Sequence, residues 1–158
     1  MRRRGAAIVA VLALGSVGPA RAHDYAIGAL RIDHPWTRAV ATTAPTAAGY
    51  MVIRNGGGVL DRLIAAETPA AAMVELHEMT MTDNIMRMRP IQGGIAIPPG
   101  GEVRLAPGGL HLMLVGPRGG FTQGASLKLT LVFERAGRIE VQLAVEAPGA
   151  RAGSHAGH

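Results

Sequence analysis

The sequence has 158 residues and not one cysteine. Disulfides, cysteine-ligated zinc, iron–sulfur clusters and thiol nucleophiles are therefore excluded. A blue-copper electron-transfer centre is excluded too, because it requires a Cys thiolate. Aromatic residues are scarce, at 3 % of the chain. With few stacking side chains and no basic stripe to interleave with them, a nucleic-acid partner has little support. No GxSxG elbow, P-loop or GxGxxG follows a strand-like run. His77-Glu78-Met79-Thr80-Met81 opens like the HExxH of metalloproteases, but Met81 stands at the second His position and the segment reads as strand. No enzymatic activity is expected.

Long apolar runs are lacking after the first two dozen residues. Arg2, Arg3 and Arg4 precede an apolar stretch from Gly5 to Val17, and Ala20-Arg21-Ala22 has the small-x-small pattern of a cleavage site. Residues 1–22 therefore read as a secretory signal peptide, with His23 opening the mature chain. The pattern around the arginines is not that of a twin-arginine signal, which leaves general secretion and a periplasmic destination as the expectation. The formal net charge of +5 is largely a property of that leader. Its four arginines (Arg2, Arg3, Arg4, Arg21) leave with it and no acidic residue does, so twelve basic residues face eleven acidic ones, for +1.

What remains is rich in short β-type runs punctuated by 22 Gly and 10 Pro. Strands are expected at Ala26–Asp33, Gly49–Arg54, Val59–Ala65, Met73–Met81, Ile85–Arg89, Ile95–Ile97, Glu102–Leu105, Leu110–Val115, Ser126–Glu134 and Arg138–Val145. His34-Pro35-Trp36-Thr37-Arg38 is expected to end the first, and Ala41–Ala48 to form a surface loop. Asn55-Gly56-Gly57-Gly58 predicts a hairpin turn with Val59–Ala65 as its return strand. Ala65–Met73 has room for a helical turn, but no later stretch holds a 3.6-residue period. The expected fold is an all-β antiparallel sandwich or barrel.

Six of the eight methionines (Met73, Met79, Met81, Met86, Met88, Met113) fall between residues 73 and 113, a stretch that also holds His77 and His111. Alternation places Val74 and Leu76 on one face of their strand and Met73, Glu75, His77, Met79 and Met81 on the other. His111 and Met113, two apart, leave the same face of another strand. Methionine fills gaps in many cores, and a lone histidine means little. Two histidines and several thioethers directed to one rim are an odd way to build a core. They form a donor set suited to cuprous copper, since thioethers select Cu(I) and imidazole suits copper generally. Spacing alone does not choose among the methionines.

The phrases Val74-Glu75-Leu76-His77-Glu78, Met86-Arg87-Met88-Arg89-Pro90 and Leu105-Ala106-Pro107-Gly108-Gly109-Leu110-His111-Leu112-Met113 resemble the PCuAC family of periplasmic copper chaperones. So do His34-Pro35-Trp36-Thr37-Arg38 and Leu129-Thr130-Leu131-Val132-Phe133-Glu134, so that the resemblance spans roughly residues 26–146. His77, ten residues, Met88, twenty-two residues and His111-Leu112-Met113 reproduce that family's ligand pattern with a second spacer one residue longer. Glu78 stands where the pattern allows an optional Met. The resemblance implies a cupredoxin-like, Greek-key β-sandwich over residues 23–146, binding one Cu(I) through His77, Met88, His111 and Met113. It further implies delivery of copper to the CuA subunit of cytochrome c oxidase, alongside a Sco-type copper protein. Periplasmic copper buffering or tolerance is the alternative role, and a metal-free interaction module the alternative class.

Residues 147–158 (APGARAGSHAGH) read as a flexible tail. His155 and His158, with the α-amine and imidazole of His23, could form a secondary Cu(II) site. Two chance histidines on a solvated tail are the plainer reading.

Overall fold

Strands make up nearly all of the regular structure over residues 24–151, the part that this computed structural model describes. In chain order they are β1 (Asp24–Ile27), β2 (Leu30–Arg38), β3 (Thr46–Asn55), β4 (Asp61–Glu67), β5 (Ala71–Thr82), β6 (Ile85–Pro90), β7 (Ile95–Ile97), β8 (Glu102–Leu105), β9 (Leu110–Pro117), β10 (Ser126–Phe133) and β11 (Gly137–Glu146). The expected residues 1–22 leader, His23, His155 and His158 lie outside the described residues.

Hydrogen bonds join the strands in the order β6-β5-β9-β8-β3-β2-β11-β10-β4-β7, with β1 beside β2. Most pairs are antiparallel; β11–β2 and β8–β9 are parallel. The sheet is thus mixed where a purely antiparallel one was expected, because β2 joins the two halves from within the chain. The halves fold over each other, so that β4 lies against β5, and β7 against β3 and β8, without pairing. The result is the expected β-sandwich.

Alternation explains its core. Ile32, Ile53, Leu112, Leu114, Leu129, Leu131, Val141 and Leu143 are completely buried, each two residues from another inward-facing apolar side chain. Opposite β9 residues Leu112 and Leu114, however, the outer face is not fully wet. His111, Met113, Tyr50 and Trp36 are also buried, although they stand apart from the main core cluster. The register explains this: Met113 pairs with Ala48, and Trp36 with Tyr50 two residues further along β3. A patch of apolar and aromatic side chains therefore covers the outside of the sheet at its centre, with the Trp36 and Tyr50 rings 4.7 Å apart.

Several expected boundaries are corrected. The first expected strand is split by a turn at Gly28, whose φ is +55°. His34-Pro35 does not end β2. The register between Asp33 and Trp36 slips, leaving the two residues as a bulge with His34 at a φ of +45°, and the strand resumes to Arg38. Proline has no N–H to offer the ladder, so it sits where none is needed. The expected loop over 41–48 gives up its last three residues to β3. β3 and β4 do not form a hairpin; β4 pairs with β10 and β7. Asn55 pins the Gly-rich segment as a crossing instead, accepting from Gly57 N–H and donating to the carbonyls of Val59 and Ile97. The expected helical turn at Ala65–Met73 is absent, since β4 runs to Glu67 and β5 begins at Ala71. At the end of the described chain, Arg38 Nε donates to the Ala150 carbonyl, tying down the first residues of the expected tail.

Candidate metal centre

β6, β5 and β9 form one end of the sheet. Asp83 and Asn84, both at positive φ (53° and 60°), make the tight turn between β5 and β6. Two consecutive left-handed residues match the twist of a two-residue hairpin, and Asp and Asn tolerate that conformation better than most residues. β9 begins after a second turn in which Gly108 has a φ of +85°. The central strand, β5, thus has β6 on one side and β9 on the other.

Register then fixes what shares a face. His77 lies opposite His111 on β9 and Pro90 on β6. Glu75 lies opposite Met113, and Met79 opposite Met88. Around His77, therefore, His111 is the direct neighbour, while Met113 and Met88 occupy the two diagonals on opposite sides. Direct partners have Cβ atoms about 5 Å apart and diagonal ones about 7–8 Å, within reach of long side chains.

The two histidines are held alike. The His77 Nε2–H donates to Glu75 Oε2 at 2.7 Å. The His111 Nδ1–H donates to the Gly109 carbonyl at 3.0 Å. Both acceptors lack a proton to give, so each bond assigns the hydrogen to that nitrogen and leaves the other as a lone pair. Those other nitrogens, His77 Nδ1 and His111 Nε2, are buried and have no hydrogen-bond partner. The ring centroids are 5.8 Å apart at 47°. A buried unpaired acceptor costs about 1–3 kcal/mol. Two of them on one patch make it a candidate site for an electron-pair acceptor.

Met113 completes the enclosed side, at 8 % exposure, and Met88 stands at the open side, at 48 %. The structure therefore brings His77, His111 and Met113 together and sets Met88 on the same face nearer solvent. Met79, Met81 and Met86 continue that face outward along the hairpin. Met73 is exposed, while Met51 belongs to the main core. Glu78, on the opposite face, pairs with Arg89.

The candidate residues were named from the sequence, but the groups that orient them were only half legible. Glu75 was placed beside His77 by alternation, with nothing to say that it would clamp the ring. The Gly109 carbonyl has no side-chain signal at all. Among the described residues, no three His, Asp or Glu side chains are grouped to hold a metal ion. The donors that share the face with the two imidazoles are thioether sulfurs, which suit a soft cation better than zinc or a hard divalent one.

A β-sandwich with this arrangement is a PCuAC-type, cupredoxin-like domain, as its structural relatives bear out. The copper-bound PCuAC domain from PmoF2 superposes with a TM-score of 0.68 at 35 % identity, covering 80 % of this chain and 99 % of that domain. The apo PCuAC domain from PmoF1 gives a TM-score of 0.68 at 31 % identity, over 80 % of this chain and all of that domain. The Cu(I) form of DR1885 from Deinococcus radiodurans is similar at a TM-score of 0.57 and 25 % identity, over 80 % of this chain and 83 % of that one. The chain belongs to the LpqE-like family of putative lipoproteins, whose model matches residues 30–145. A putative lipoprotein of Leifsonia xyli subsp. xyli (strain CTCB07) is 29 % identical over 104 residues, 66 % of this chain. This chain spans 61 % of that relative's length.

Proposed function

We propose that this chain is an exported copper chaperone that carries one Cu(I), its cargo, on His77, Met88, His111 and Met113. The observation that carries this reading is the pair of buried, unpartnered nitrogens, His77 Nδ1 and His111 Nε2, facing a methionine-bearing surface. Four neutral donors leave the ion its single charge, and thioethers favour that state over the cupric one. Copper-bound relatives with the same domain support the choice of metal. The lipoprotein names in the family support export; the periplasm is the compartment proposed.

The carrier has no catalytic role. It delivers copper to the CuA subunit of cytochrome c oxidase, in company with a Sco-type copper protein. Met88 at the open side allows an acceptor to approach the ion and take it by ligand exchange, without unfolding the sandwich. Two measurements test this. Competition with a chromogenic Cu(I) chelator should give one tight ion per chain, lost in His111→Ala, Met113→Ala; equal binding by that variant refutes the site. Deleting the gene at limiting copper should lower CuA content; unchanged CuA with greater copper sensitivity would point to buffering instead.

A further inference from the structure

Beyond the ladder of β9, the β5–β6 hairpin leaves the body of the sheet. Pairing between β5 and β9 ends at Glu78 opposite Leu110, with one further bond from Met79 N–H to the Gly109 carbonyl. Residues 80–87 pair only within the hairpin. One face of this arm carries Met79 opposite Met88 and, one step outward, Met81 opposite Met86. Thr80 opposite Arg87 and the Glu78–Arg89 ion pair lie on the other face.

Met81, at 65 % exposure, and Met86 contribute little to any core. An exposed strand position favours β-branched or aromatic side chains, so packing and propensity give no reason for methionine at four matched places. Thioether sulfur is the property the four share. Direct cross-strand Cβ atoms lie about 5 Å apart, so the two unbranched side chains of a pair can close on one ion. Successive pairs are about 7 Å apart along the strands, which lets the Met79–Met88 pair reach both the histidines and the outer pair.

We infer that Met81 and Met86, aided by Met79, form a second and weaker Cu(I) station on the outer arm of the hairpin. This inference rests on the proposed Cu(I) site at His77 and extends it. The ion passes between stations as Cu(I): a bond to an outer sulfur forms as one to Met88 breaks, with no electron or proton exchanged. The arm thereby offers the cargo an exposed, all-thioether contact from which a partner could collect it or to which it could be loaded.

Anaerobic titration of the full chain, labelled with 13C at the methionine methyls, tests this with Cu(I) alone as the probe. The first equivalent should shift the Met88 and Met113 methyls, and the second those of Met81 and Met86. Met81→Leu, Met86→Leu keeps side-chain volume and should bind one equivalent where the parent binds two, leaving the first undisturbed. Leucine would preserve an apolar docking face, so loss of the ion in this variant separates a sulfur site from a protein contact. Uptake of a single equivalent by the parent, or of two by the variant, would overturn the inference. Should the first equivalent fail to move Met88 and Met113, the main site falls instead, and the response of Met81 and Met86 alone decides the arm.

Discussion

His77 and His111 are direct cross-strand partners, each with one ring nitrogen tethered and the other buried without a partner. The tethers, Glu75 and the Gly109 carbonyl, fix the tautomers in the metal-free state, so ligation requires neither ring to exchange its hydrogen for a new one. Binding also relieves two unsatisfied acceptors. One equivalent of Cu(I) should therefore raise the melting temperature, with free ion at a hundred times the dissociation constant adding about 2.7 kcal/mol. His111→Leu should gain much less from Cu(I) than the parent does. Differential scanning calorimetry under anaerobic conditions reads both.

Glu75 touches His77 through the nitrogen that faces away from the proposed ion. Partners of that kind typically govern metal affinity about 10–100-fold. Glu75→Ala should weaken Cu(I) by a factor in that range without changing the stoichiometry. Glu75→Gln, whose amide oxygen still accepts from His77, should recover part of the loss. Competition with a chromogenic chelator measures all three proteins on one scale.

Met88 and Met113 differ in burial, so stability and binding should separate. Met113→Ala removes a buried side chain and should cost about 2–5 kcal/mol, whereas Met113→Leu should cost less than about 1.5. Met88→Leu, at a half-exposed position, should change stability by less than about 0.5 kcal/mol. Both leucine variants nonetheless lose a sulfur donor and should bind Cu(I) more weakly. Denaturant unfolding beside the chelator titration shows whether the two effects part.

The contrast between these residues marks how far the sequence carried. Period-two alternation placed His77 and the methionines on one face of β5, because side chains of a strand must alternate. It could not say that β9 would pair so as to set His111 directly opposite His77, since register between strands over thirty residues apart is decided by the whole core. The family resemblance, not spacing, singled out Met88 and Met113. The false hairpin at Asn55–Gly58 has a similar cause. A Gly-rich turn signal is local, but the Asn55 side chain is spent on Val59 and Ile97, and the latter contact exists only in the folded sandwich. The bulge at His34-Pro35 likewise depends on Trp36 finding Tyr50.

Asp61 offers a stability test remote from the metal centre. Its buried carboxylate accepts the backbone N–H groups of Arg62, Arg135 and Ala136, and so ties the start of β4 to the β10–β11 turn. Hydrogen bonds to a charged group contribute about 1.5–3 kcal/mol, so Asp61→Ala should lose at least that much stability. Cu(I) affinity of the folded variant should be unchanged.

Burial raises the Tyr50 phenol above its ordinary value of 10.0, with the Arg38 guanidinium partly opposing the shift. The native state then holds this proton more tightly than the unfolded chain does. Its contribution is fully present below about pH 10 and is lost as pH rises through the native value. Chemical denaturation between about pH 9 and pH 11 should show a smaller decline for Tyr50→Phe than for the parent.

Copper K-edge X-ray absorption on the chain loaded with one equivalent of Cu(I) reads the ligand shell directly. A cuprous edge with both nitrogen and sulfur scatterers is expected, with the sulfur contribution much reduced in Met88→Leu, Met113→Leu. A first shell without sulfur, or one unchanged in that variant, would contradict the proposed ligand set.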